Sequence, residues 1–349
     1  MVHDYLDFYE QAGIRCTVSP LFDDRYFDFH VLARSTGLKD ILRHSGYYLA
    51  RVMERIRYLF LSAQYDMAVF DKELLPYLPY GLELILRILQ PKTIVLFDDA
   101  TYVYYRHHPF PLIRFLCHRK LERVIRTCTH VIVWNEYLGN YARQFNPNVS
   151  VVNTGVDLRR YRVLKDYRVE NSIKLRPTVI GWIGTPGSFP YVRILEGVFK
   201  ELSNRYDVEL HVISSQDYVS SNIKVVNKRW GLQTEIDDLL ALDIGIMPLP
   251  DDEWTRGKCG AKAVQYMGVG TPAVCSYVGI APQLIHDGVN GFLASNLQEW
   301  TDKLALLIEN PTLRQEIGLR GRQTVENTYS LQAVAPRLIS ILQKVAEES

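Results

Sequence analysis

Short β-rich runs alternate with longer helical patterns along this chain of 349 residues, and no other feature limits its fold as much. In the first half the runs are residues 15–21 (RCTVSPL), 66–70 (DMAVF), 92–97 (KTIVLF) and 130–134 (HVIVW). Helical patterns fall between them at 36–63, 81–90 and 110–127. In the second half the predicted strands are 178–184, 208–214, 223–226, 244–249 and 272–276. The helices there are 191–204, 232–241, 258–269, 297–309, 312–327 and 331–346. Near-continuous β-branched runs separated by helices predict parallel sheets covered on both faces. A chain of this length exceeds one core, so the expectation is two doubly wound α/β domains, 1–160 and 161–349. A polar hinge near 155–176, ending at Pro177, should join them. Such sheets bind ligands beyond the carboxyl ends of their strands, which makes an inter-domain cleft the expected site. The chain opens in a helical pattern, YLDFYEQAG, where a doubly wound domain usually opens on a strand.

Composition excludes several classes. With 47% hydrophobic and 23% charged residues the chain reads as an ordinary soluble protein. A net charge of +1 argues against a nucleic-acid binder. Five cysteines without C-x-x-C spacing predict reduced thiols, neither a disulfide framework nor a zinc site, and a cytoplasmic location. The start, MVHDYLDFYEQ, has acids and no apolar core, unlike a signal peptide. No run approaches the roughly 18 apolar residues that span a bilayer.

The stretch PLPDDEWTRGKCGAKAVQYMGVGTPAV, residues 248–274, collects Arg256, Lys258 and Lys262 at a predicted helix start. The helix macrodipole disfavours cations there, so an anion is the natural third party. A helix from about Lys258 to Val269 would put Lys258, Lys262 and Gln265 on one face. Its free N–H groups and flanking cations suit a phosphate: the lysines act as point charges and Arg256 binds bidentately. The competing reading is a solvated basic face. A second strand-to-helix loop, GWIGTPGS at 181–188, includes Gly184 and Thr185. Its glycines are three apart and do not match G-x-G-x-x-G, so a plain turn explains it equally well.

From about residue 150 onward the chain resembles glycosyltransferase family 4, retaining nucleotide-sugar enzymes of the GT-B fold. The resemblance rests on VVNTGVDLRRY (151–161), the segment 239–274, GIAPQLIHDGVNGFLA (279–294) and the closing helices. VIVWNEYLGNYARQF (131–145) extends it into the first half. The family usually carries two glutamates eight positions apart, where this chain has Gly257 and Gln265. The resemblance implies that Gln265 binds ribose hydroxyls through its amide and that Gly257 leaves the donor sugar untouched. The Arg/Lys pair common near the 181–188 loop is also absent, so Arg256, Lys258 and Lys262 are expected to hold the diphosphate. The W-T-R-G-K-C-G pattern resembles one branch of the family.

In the first half Asp98 and Asp99 (VLFDDATYV) end a predicted strand, where the family commonly has a histidine. They are expected to bind sugar hydroxyls or to stabilise positive charge at the anomeric carbon. A metal-binding pair and a helix-capping pair are the alternatives. Lys72 and Glu73 (VFDKELLPYLP) follow another strand as sugar or acceptor contacts, or as a surface turn. Trp230 stands near the base or packs; His107 and His108 are solvated; Tyr102, Tyr104 and Tyr105 stack on a sugar or pack. Two basic amphipathic segments, 34–57 and 106–126, suit an anionic membrane surface or are ordinary solvated helices.

The reading is therefore a GT-B transferase moving a hexose, glucose first, from a UDP-sugar to a glycan or lipid-linked glycan, with retention. It works at the cytoplasmic side and needs no cofactor and no metal. Asp98, Arg256 and Lys262 are the catalytic candidates. Gly184, Thr185, Asp99, Glu73, Trp230, Lys258 and Gln265 are the binding candidates. The rivals are a sugar-nucleotide epimerase and a non-catalytic nucleotide-sugar scaffold.

Overall fold

The computed structural model describes residues 2–23, 26, 44–161 and 176–347. Asp24, parts of the patterns at 36–63 and 34–57, and most of the expected hinge lie outside the described residues. The chain divides into two compact units, 1–152 with 335–349, and 153–334. The first boundary thus falls before the expected 160/161 division, and the C-terminal segment returns to the first unit.

The first unit holds a parallel sheet in the order β1-β2-β3-β4, with β1 Ala68–Asp71, β2 Thr93–Phe97, β3 His130–Val133 and β4 Val149–Val151. All residues of β2 and β3 are buried, as continuous apolar runs require when helices cover both faces. Residues 15–21 form no strand, which corrects the expectation. That run is mostly solvent-facing and ends near Pro20, which lacks a ladder N–H. The expected helix at 110–127 is two, Pro111–Cys117 and Lys120–Thr127. The break lets Lys120 open the second helix with its side chain wholly buried.

The second unit holds six parallel strands: β5 Thr178–Ile183, β6 Val208–Ser214, β7 Lys224–Arg229, β8 Ile244–Met247, β9 Ala273–Ser276 and β10 Phe292–Ala294. Their order is β10-β9-β8-β5-β6-β7. The winding reverses between β5 and β8, so the carboxyl ends of those two strands mark the topological switch point. Ile180, Trp182, Ile244, Ile246 and Val274 pack into one core against Phe199 and Leu304. The other face buries Tyr266, Leu242 and Met267. The two crossings of the chain run together: Val156 pairs with Ser330, flanked by bonds from Val156 N to Tyr329 O and from Leu331 N to Val156 O.

Candidate functional site

At the switch point, β5 runs into Gly184 and Thr185, while β8 runs into residues 248–260. Asp252 caps the short helix Glu253–Arg256, accepting from Thr255 N at 2.7 Å. Gly260 then takes a left-handed φ of +76°, which restarts the chain as the helix Ala261–Gly268. This corrects the expected helix from Lys258, and with it the shared face. Lys258 precedes the helix and lies with its Nζ 5.1 Å from the Trp254 ring centroid. Lys262 is in the first turn, with its Nζ 5.4 Å from the ring of Trp182. Two indoles thus hold the two ammonium groups by cation–π attraction.

The helix carrying Lys262 is pinned to the sheet by Tyr266. The buried Tyr266 hydroxyl accepts from Ile183 N at 3.0 Å and donates to Ile246 O at 3.2 Å, so one side chain ties β5 to β8. Burial pushes that phenol well above its ordinary range. Lys262 also lies across Gly184: a Cβ there would stand 2.9 Å from Lys262 Cε and 2.6 Å from the Trp182 ring. Gly184 and Lys262 are therefore brought together. Arg256 is in a different environment. Its guanidinium is exposed and already engages a carboxylate, Asp251, through Nε at 2.6 Å and Nη2 at 2.9 Å. The hydrogen-bonded arginine holds the Asp251 carboxyl below its usual range.

Sequence reasoning missed the centre of a second cluster. The buried carboxylate of Glu235 accepts from Trp230 Nε1 at 2.9 Å and from Tyr161 OH at 3.0 Å. Gln265 hydrogen-bonds Tyr161 in turn. Trp230 and Gln265, both singled out from the sequence, thus meet around a glutamate that was not. Its one local signal is an acid in the first turn of the helix Glu235–Leu240, just after Trp230.

In the first unit, Asp98 and Asp99 follow β2, and Lys72 and Glu73 follow β1. Lys72 Nζ lies 2.6 Å from Asp98 Oδ1. Burial alone would depress the Lys72 ammonium; the charge and hydrogen bond of Asp98 outweigh it and raise its pKa. Loss of water around its carboxyl, then the neighbouring Asp98, pushes the Asp71 carboxyl up to about 6, although the residue as a whole is exposed. Asp99 is half-buried, and its carbonyl accepts from Thr101 N at 2.8 Å.

Glu73, expected as a sugar or acceptor contact or as a surface turn, turns its carboxylate inward. It accepts from Tyr105 OH at 2.6 Å and pairs with Lys120 Nζ at 2.7 Å. Lys120 also reaches Glu83 at 3.2 Å and Leu75 O at 2.7 Å, while Leu74 N donates to Glu83 at 3.0 Å. This network clamps a loop in which Lys72 and Tyr77 both take positive φ, 55° and 64°. His107 is exposed as expected; His108 is buried among Tyr77, Tyr104 and Phe110. Among the described residues no group of three or more His, Cys, Asp or Glu could hold a metal ion, and no helix is long and apolar enough to cross a membrane.

Two units built on parallel sheets match solved structures along most of the chain. Sucrose-phosphate synthase from Thermosynechococcus elongatus superposes with a TM-score of 0.65 at 12% identity, over 90% of this chain and 81% of that one. Anabaena HepE, solved in complex with UDP and glucose, gives 0.64 at 15% identity, over 83% and 80%. The fold is GT-B. Residues 178–310 of the GT-B chain match the family model described as Glycosyl transferases group 1. A GDP-mannose-dependent monoacylated alpha-(1-6)-phosphatidylinositol monomannoside mannosyltransferase of Corynebacterium glutamicum is 29% identical over 150 residues, 40% of this chain and 37% of that protein. Spore coat protein SA of Bacillus subtilis is 27% identical over 81 residues, 22% of each chain. The chain therefore spans little more than a third, at most, of the length of these curated relatives.

Proposed function

We propose that this GT-B protein is a glycosyltransferase. It takes a hexose, glucose in the first instance, from a UDP-sugar and transfers it with retention to a glycan or lipid-linked glycan. The observation that carries the reading is Lys262, held across Gly184 at the switch point of a sheet whose sequence matches a glycosyltransferase family model. Phosphates bind where a strand turns into a helix at such a point.

In this reading Lys262, Lys258 and Arg256 neutralise the charge that develops on the leaving diphosphate, a large electrostatic contribution to rate. Arg256 would exchange Asp251 for phosphate oxygens, keeping bidentate geometry. Gly184 and Thr185 let backbone approach the phosphates. Gln265 and Trp230 face the nucleoside, with Glu235 and Tyr161 fixing their positions. Asp98, supported by Lys72 and beside Asp99, acts on the reacting sugar. The bond from the anomeric carbon to the β-phosphate oxygen breaks and the acceptor oxygen bonds to that carbon. Its proton passes to the departing phosphate oxygen, so no protein base and no metal are used.

A thermal-shift screen with UDP-glucose, UDP-galactose, ADP-glucose and GDP-mannose tests the binding, since a ligand specific for the folded state raises apparent stability. The expected result is a shift with UDP-glucose that survives EDTA. Absence of a shift with every nucleotide sugar would overturn the reading. Conversion of the donor to another sugar without acceptor would make the protein an epimerase.

A further inference from the structure

We propose that the outer face of the helix Gly81–Leu89 is a dimerisation seam, covered by the same helix of a second copy of this chain. The helix, GLELILRIL, is apolar almost all round, and neither of its charged residues lies on the outer face. Glu83 is buried on the inner side and accepts from Leu74 N at 3.0 Å. Arg87 stands at the flank and folds back onto Pro91 O. With 3.6 residues per turn, Glu83 and Leu86 form the buried side, while Gly81, Leu84, Ile85 and Ile88 share the opposite one. Leu84, Ile85 and Ile88 are 45%, 39% and 72% exposed. A helix that is apolar on both sides is normally covered on both, and a contiguous exposed apolar patch marks an interaction site.

The pattern of the stripe decides what covers it. Gly81, Leu84, Ile85 and Ile88 are spaced symmetrically about the midpoint between Leu84 and Ile85. Two such helices, antiparallel across a two-fold axis at that point, bring Leu84 of each copy level with Ile85 of the other, and Ile88 level with Gly81. The most exposed of the three apolar side chains then enters the position that has none. A Cβ built at Gly81 meets nothing within 4 Å in its own chain, so that notch is open. Large against small is how packed helices interdigitate. No charge on the stripe opposes itself, and Arg87 comes level with Leu82 of the second copy rather than with another arginine. A helix lying on lipid pairs its apolar face with a strongly charged one; here the side opposite the stripe is buried. A stable interface buries about 800 Å² per partner, more than so short a helix supplies alone. The helix Ser45–Leu61, packed against it, exposes Leu49, Met53 and Phe60 and adds apolar area beside it. A seam of this size gives a dimer with a Kd on the order of micromolar. The proposal goes beyond the transferase reading and does not depend on it.

Sedimentation velocity of the full chain from about 1 to about 100 µM, with no donor present, tests it. A monomer–dimer equilibrium is expected. Ile88→Ser should weaken it about a hundredfold, because the axis repeats every contact and one substitution removes two. Gly81→Leu should abolish the dimer by filling the notch, although the added Cβ meets nothing in its own chain. Leu84→Lys and Ile85→Glu should each be monomeric alone. An equal mixture of these two variants should dimerise again, because the opposite charges come level across the axis. All four positions are exposed, so the melting temperature of the monomer should stay unchanged. A parent that remains monomeric at the highest concentration, a dimer indifferent to Ile88→Ser and Gly81→Leu, or a mixture no more associated than its parts would overturn the proposal. So would a monomeric parent that pellets with phosphatidylcholine vesicles and loses that binding in Ile88→Ser, since the stripe would then be a lipid face. A missing donor shift alongside an intact dimer would instead count only against the transferase reading.

Discussion

Lys72 and Asp98 stand at the carboxyl ends of neighbouring parallel strands, with Nζ 2.6 Å from Oδ1. The pair makes Asp98 a fixed carboxylate, and its fixing cation sits on a left-handed backbone, φ 55°. If the carboxylate stabilises positive charge on the reacting sugar, it matters more in the transition state than in the ground state. Asp98→Asn should then lower kcat by roughly 10²-fold with a smaller change in donor affinity. Lys72→Met should lower kcat as well, and the double variant should lose little more, because residues acting as a unit are non-additive. Steady-state kinetics of the three variants checks this. Near-normal kcat in Asp98→Asn would reduce the pair to a turn-forming role.

Asp71 should titrate late. Its carboxyl is pushed up to about 6, from an ordinary 3.8, by burial and by Asp98. A carboxyl raised in the folded state favours the protonated form, so stability falls as pH rises from about 4 towards 6. Solvent reaches this residue and screens the effect, so the loss should stay at or below about 1 kcal/mol. Carboxyl-carbon NMR should show a midpoint near 6 for Asp71, moving higher in Lys72→Met, because the lysine opposes the shift. A midpoint near 4 would mean that neither loss of water around the carboxyl nor Asp98 acts on it.

Lys262→Ala should leave the fold intact and cost roughly 2–4 kcal/mol in transition-state stabilisation, about 10²–10³ in rate. Arg256→Ala should cost a similar amount in rate. It should barely change the melting temperature, because the Arg256–Asp251 ion pair is exposed and water screens it. Activity within a few-fold of the parent in both variants would leave a solvated basic surface as the better description.

How far the sequence could be read is visible in these same residues. β2 and β3 were legible because strands buried on both faces are continuous apolar runs. β4 and β10 went unrecognised because three residues carry no period. The expected partnership of Lys258 with Lys262 assumed an unbroken helix, and the left-handed Gly260 breaks it. Glu73 looked like a sugar contact because its partners, Tyr105 and Lys120, are remote in sequence and only tertiary packing brings them to it. Glu235 was overlooked for the same reason: Tyr161 lies in another part of the chain. Periodicity reports which way a side chain faces in its own element and says nothing of which distant group it meets.

The Lys120 network should behave as structure rather than chemistry. Lys120→Met leaves the Glu73 and Glu83 carboxylates buried without their cation, a change that typically costs about 3–5 kcal/mol. Urea denaturation should show that loss. Glu73→Gln keeps the hydrogen bond from Tyr105 and removes one charge, so it should cost less. Wherever the variants remain folded, donor affinity should change by less than about threefold, a shift below 1 kcal/mol. A catalytic collapse in Glu73→Gln at unchanged stability would return Glu73 to the list of substrate contacts.

Gly184 offers the sharpest test of the switch-point geometry, because its neighbours differ in how far they can yield. A Cβ at Gly184 would stand 2.6 Å from the Trp182 ring and 2.9 Å from Lys262 Cε. The ring is buried against Phe189, with centroids 5.7 Å apart, and has little room to move. The lysine end is flexible and would be displaced from the loop instead. Gly184→Ala should therefore cost about 1–3 kcal/mol of stability through overpacking. It should also weaken donor binding, because the backbone that approaches the phosphate and the cation beside it both move. Gly187→Ala is the control in the same loop, since nothing lies within 4 Å of its added Cβ. It should be neutral in stability and in donor affinity. Calorimetric binding of UDP-glucose to both variants separates the cases. If Gly184→Ala binds as tightly as the parent, the donor does not lie on this loop, and the anion site must be sought at Lys258 and Arg256 alone.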